Sequence, residues 1–171
     1  QLEDQVRLVV LGKQGQTSQD QLDAHIGSEL ENVVRRLHRP ILITTQHFVA
    51  PTAVLIAFDG SSTMQRAIKR IAQSPLLTDL SLHVVMVAAA TLDAQAQMDW
   101  VKNALSSTHA AVQTAIIQGE VEPALHAYQA QHQLDLLVMG AYGHSRIRQF
   151  FVGSTTTKML VNQQASVLLL R

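Results

Sequence analysis

Leu137-Val138-Met139-Gly140-Ala141-Tyr142-Gly143, followed after nine residues by Gly153-Ser154-Thr155 and then by Ser166-Val167-Leu168-Leu169, decides the fold. The apolar run ending at Gly140 suits a strand buried on both faces. Gly140 and Gly143 permit positive φ and a close approach of backbone to a ligand. Gly153 opens a helix that extends to about residue 163, and Val167–Leu170 returns as a strand.

The same pattern occurs earlier. Val9-Val10-Leu11-Gly12-Lys13-Gln14-Gly15 is followed, after eleven residues, by Gly27-Ser28 and then by Pro40-Ile41-Leu42-Ile43. Gly27 to Ile41 is the same interval as Gly153 to Val167. Self-similarity of this kind marks a repeated unit. The later copy has long strand and helix signals before it, whereas the earlier one does not. Residues 1–45 therefore read as the strand–helix–strand end of a first unit. Residues 46–52 read as a linker, and residues 53–171 as a whole unit.

Working back from Gly140, residues 53–58 form a first buried strand. Asp59-Gly60-Ser61-Ser62 caps a helix carrying Met64, Ala67, Ile68, Ile71 and Ala72 on one face. Pro75 ends that helix. A strand is expected over 82–88, and a helix over about 92–106 with Met98, Val101 and Leu105 inward. A strand over 112–117 ends near Gly119, and a helix from about 121 to 131 tolerates Pro123 in its first turn. Leu134–Met139 is the fourth strand. This alternation predicts an α/β fold: a five-stranded parallel sheet with helices on both faces, plus the β-α-β remnant of the preceding copy.

Ligands of such sheets bind beyond the carboxyl ends of the strands, where the strand order reverses. Asp59, the end of the second strand, Gly119 and the 140–153 loop meet at that edge. The helix start at Gly153 offers free N–H groups and a positive dipole end, which suit phosphate. Ser154 and Thr155 add hydroxyl donors, and His144 and Arg146 add positive charge or a second donor. No Walker A lysine follows the glycines, and their spacing is not that of a dinucleotide fingerprint.

Gly140-x2-Gly143-x9-Gly153-Ser154-Thr155, with Asp59 after the first strand, resembles the ATP-binding signature of the universal stress protein family. The resemblance covers residues 53–171, and residues 7–43 resemble the end of a preceding copy in tandem members. It implies a Rossmann-like fold of the adenine nucleotide alpha hydrolase type. It also implies phosphate contacts from Gly140, Gly143, Gly153, Ser154 and Thr155. Asp59 is then expected near ribose and phosphates, often with a divalent cation such as Mg, and adenine near Val87. The resemblance further implies pairing of the last strand with its counterpart. Ile41–Thr44 is accordingly expected to pair antiparallel with Val167–Leu170, within the chain or across a homodimer. The earlier copy has a loop two residues longer and Glu29 where the later one has Thr155. A carboxylate there repels phosphate, so this copy is not expected to bind ATP alone.

Composition excludes other classes. The 171 residues are 47% apolar, with 13 basic and 13 acidic side chains, so no basic face for nucleic acid is expected. The chain has no cysteine, which removes thiol nucleophiles, disulfides and zinc thiolate sites. The longest apolar run, Val84–Ala90, is far short of the roughly 20 residues of a membrane span. A cytoplasmic location is expected. No His-x3-His pair suggests a metal cage, and nothing marks a base for Ser61 or Ser62, which read as caps. The functional expectation is an ATP-binding regulatory protein of the stress response, with no catalytic residues assigned. The rivals are a slow ATPase or phosphotransferase using Asp59 and Arg146, and an interaction module of the same fold that takes no ligand.

Overall fold

The computed structural model describes residues 6–12, 36–45, 48–74, 77–109, 111–140 and 165–170. The described strands are β1 (Val9–Gly12), β2 (Ile41–Thr44), β3 (Ala53–Ala57), β4 (Ser81–Val87), β5 (Val112–Ile117), β6 (Leu136–Gly140) and β7 (Ser166–Leu170). The described helices are α1 (Ser62–Ala72), α2 (Leu92–Ser106) and α3 (Val121–Gln131). The strands form one sheet in the order β1-β2-β7-β6-β3-β4-β5.

The last five strands in that order are all parallel, as the alternating pattern requires. β1 and β2 are parallel to each other, and β2 meets β7 antiparallel, with Ile41 opposite Leu169 and Ile43 opposite Val167. β1 and β2 thus extend the five-stranded sheet into a mixed seven-stranded one. The antiparallel contact of Ile41–Thr44 with the last strand lies within the chain. β3 and β6 are neighbours although β4 and β5 intervene in sequence. The strand order therefore reverses between β3 and β6, and a crevice opens beyond their carboxyl ends.

Alternation along β3 and β4 sends side chains to both faces. Val54, Ile56, Val84, Leu136 and Val138 pack with Met64, Ile68 and Ile71 of α1 and with Met98, Val101 and Leu105 of α2. Leu55, Ala57, Val85, Leu137 and Met139 pack on the other face, with Leu125 and Tyr128 of α3. This second cluster runs on through Val167 and Leu169 into Ile41 and Ile43, so the seam between β7 and β2 is filled by one core. Trp100 is a packing residue, its ring 6.4 Å from that of Phe58.

The fourth strand of the alternating unit begins later than its apolar run. Leu134 closes α3: its amide donates to the Gln129 carbonyl, and its own carbonyl accepts from Gln129 Nε2 at 3.0 Å. Gln133 takes a left-handed φ of 54° to make this closure, and the ladder starts only at Leu136. The helix expected over about 153–163, and Pro75, lie outside the described residues.

No described helix is long and apolar enough to cross a membrane.

Candidate functional site

A cleft of about 510 Å³ opens at the carboxyl edge of the sheet. Its floor is Ala57, Phe58 and Asp59 from the end of β3, with Val85, Met86 and Val87 from β4. One wall is the start of α2, with Thr91, Asp93, Ala94 and Gln97, and the other is Val121 and Leu125 of α3. Its size suits a nucleoside or another small ligand, and its lining mixes apolar side chains with the polar groups of Asp59, Thr91, Asp93 and Gln97.

The turn after β3 shapes the mouth. Asp59 Oδ1 accepts the Ser61 amide at 3.0 Å, and Ser61 Oγ accepts the Met64 amide at 3.3 Å as the cap of α1. Asp59 thus serves the turn and lines the cleft. Between them Gly60 has φ +74°, where a side chain is strained. A Cβ there would also run into Gln97 Oε1. On α2, Thr91 Oγ1 accepts the Ala94 amide at 3.2 Å as the helix cap. Gln97 Nε2 donates to Asp93 Oδ2 at 2.7 Å. Gln97 Oε1 is buried with no hydrogen-bond partner among the described residues.

Asp59 and Val87 both line the cleft. Gly119 follows β5 at the same edge, and its φ of +125° requires glycine. Gly140 departs from expectation. It ends β6, in ladder register with Leu170, and does not have positive φ. A Cβ there would make van der Waals contact with Met64 Sδ of α1, at 3.4 Å. Gly143, His144, Arg146, Gly153, Ser154 and Thr155 lie outside the described residues. The sequence reading passed over Asp93 and Gln97. Their four-residue spacing in one helix, which puts them on one face, was the available signal. Among the described residues no cluster of three histidine or acidic side chains could hold a metal.

At the C-terminal end of α3, against β4, lies a second polar group. His83 Nδ1 and the Tyr128 hydroxyl share a 3.1 Å hydrogen bond, and the His132 ring lies 5.0 Å from that of His83 and 4.2 Å from that of Tyr128. Burial, and then the charge of His132, hold the His83 pKa below its ordinary value of 6.5. Burial raises the Tyr128 pKa.

The model of the Universal stress protein family matches residues 52–171. Universal stress protein Slr1230 of Synechocystis sp. is 36% identical over 166 residues, covering 96% of this chain and 58% of that protein. A universal stress protein of Archaeoglobus fulgidus superposes with a TM-score of 0.74 at 19% identity, covering 98% of this chain and 62% of that one. A universal stress protein solved in complex with cAMP superposes at 0.56 with 22% identity, covering 71% of this chain and 97% of that one. The chain therefore spans about three-fifths of the first two relatives.

Proposed function

Because the chain belongs to the universal stress protein family, we propose that it binds an adenine nucleotide, ATP by resemblance, in the cleft beyond β3 and β4. The observation that carries this is the cleft itself. It lies beside the reversal of strand order, and its floor holds Asp59 and Val87, the residues that the resemblance implies for ribose and adenine. The cAMP bound to a relative of the same fold supports the ligand class.

In this proposal the base and ribose fill the cleft. The phosphates run toward Gly140 and the loop bearing Gly143, His144, Arg146, Gly153, Ser154 and Thr155. Gly119 keeps the β5 corner clear of side chains. A divalent cation travelling with the phosphates would supply charge neutralisation and would meet Asp59. The protein acts as a regulator in the stress response: occupancy of the cleft alters a surface that a partner reads. Such a switch requires different nucleotide affinity in two conformations. The source of ligand is the cytoplasmic nucleotide pool. Residues 1–45 are the end of a first copy of the domain. Its last strand, paired with β7, provides the twofold-like contact that separate chains would otherwise make in a homodimer.

Mass spectrometry of small molecules released on denaturing the purified protein tests the ligand, and calorimetric titration with Mg-ATP tests the site. Retained adenylate, and heat of binding lost in Asp59→Ala and Gly143→Asp, is the expected result. No heat from the unaltered chain overturns the proposal.

A further inference from the structure

α3 is the most lightly held of the described helices. It buries two side chains, Leu125 and Gln129, where α1 and α2 bury four each. Its N-cap residue, Glu120, makes no side-chain capping bond, whereas Ser61 and Thr91 cap α1 and α2 in that way. At its other end α3 rests on three rings. Tyr128 and His132, one turn apart on the helix, lie 4.2 Å from each other, and both meet His83, which stands in β4 and is only 5% exposed. The hydrogen bond between His83 Nδ1 and the Tyr128 hydroxyl joins the helix to the sheet.

A proton arriving at this group meets no opposite charge among the described residues. The titratable groups set against His83 are Tyr128 and His132, both from α3, and its neighbours on β3 and β5 are Leu55 and Gln113. Asp135, just past the helix, spends both carboxylate oxygens on Thr52 and Ala53. A charge on His83 is therefore poorly solvated, and a charge on His132 faces it across 5.0 Å. Burial and then His132 depress the His83 pKa accordingly. Above about pH 6.5 the rings are neutral and hold; below it, the proton is better accommodated with the helix end in water. α3 has 11 residues, about 16 Å of helix, and its opposite end supplies Val121 and Leu125 to the cleft wall.

We infer that His83, Tyr128 and His132 form a proton-sensitive latch: proton uptake frees the C-terminal end of α3 from β4, and the helix, moving as one piece, withdraws Val121 and Leu125 from the cleft. Acid thereby opens the site whatever small molecule occupies it, so the latch does not depend on the choice of an adenine nucleotide.

Hydrogen exchange of the ligand-free full chain tests this, read by mass spectrometry between pH 8 and pH 5 and corrected at each pH for the rate of an unstructured peptide. α3 is expected to open on its own, with lower protection than α2 at every pH. Its protection is expected to hold down to about pH 6.5 and then to fall, by at most about ten-fold per pH unit for one proton taken up. The fall is expected to extend through Leu125. His83→Phe, a ring with nothing to protonate, is expected to leave α3 level across the range. His132→Gln is expected to make the fall shallower, because it removes the second cause of the depressed pKa. Equal protection of α3 and α2 at every pH overturns the inference, since the helix would then open only with the whole molecule. So does α3 protection that stays level in the unaltered chain, that falls equally in His83→Phe, or that falls in the last turn without reaching Leu125. Melting temperatures of the variants establish that they are folded. Should His83→Phe not fold, His83→Leu answers the same question.

Discussion

Thr52 and Asp135 stand 83 positions apart in the chain and meet through two hydrogen bonds. The Thr52 amide reaches Asp135 Oδ2 at 2.8 Å and its hydroxyl does so at 2.9 Å. The other carboxylate oxygen accepts the Ala53 amide at 3.1 Å. One side chain therefore ties together the starts of β3 and β6, the strands on either side of the reversal. It sets their register, Val54 beside Leu136 and Ile56 beside Val138, at the end away from the cleft.

Asp135→Ala removes both acceptor oxygens and with them three hydrogen bonds, and Thr52 and Ala53 lose their partner. Hydrogen bonds to a charged group are worth more than neutral ones, but two of these face solvent. A loss of about 1–2 kcal/mol in urea unfolding is expected. Nucleotide affinity at saturating protein stability is expected to change little, because the cleft is at the opposite edge.

Gly60→Ala meets two obstacles at once, a left-handed φ of 74° and the Gln97 carbonyl. The expected cost is about 1–3 kcal/mol by denaturation.

Much of this architecture was legible before the structure. The bounds of α2 and α3, the inward faces at Met98, Val101 and Leu105, and the strand over Val112–Ile117 follow from apolar spacing alone. Spacing could not foresee that Leu134 is spent on closing α3, because that depends on Gln129 folding back on its own helix end. Nor could it foresee Gly140 as an ordinary strand residue. Glycine permits an unusual φ without demanding one. In the site, Asp59 and Val87 were readable because they end strands. Asp93 and Gln97 were not, because only the packing of α2 beside the Gly60 turn gives a polar helix face a role.

Gln133 holds a left-handed φ of 54° with a full side chain. Relief of that strain by Gln133→Gly outweighs the added freedom of the unfolded chain. A gain of about 0.5–1 kcal/mol is expected, read as a raised urea midpoint at unchanged slope.

Stability is expected to depend on pH through His83. Its pKa is depressed in the folded chain by burial and then by His132. The unfolded chain takes up a proton near pH 6.5 that the folded chain still refuses. The contribution is complete above about pH 6.5 and is lost as pH falls from there through the depressed folded value. Melting temperatures between pH 8 and pH 5 are expected to drop on the acid side, and His83→Phe is expected to flatten that drop. An identical profile for the variant would move the cause elsewhere.

The antiparallel seam at Ile41–Ile43 has a directional result. Since β1 and β2 run against the other five strands, Gly12 points out of the far rim of the sheet, away from Asp59 and Val87. The molecule is thus two-ended. Anything seated beyond β1 would sit on the reverse side, out of reach of a guest in the cleft, with the sheet and its shared core between them.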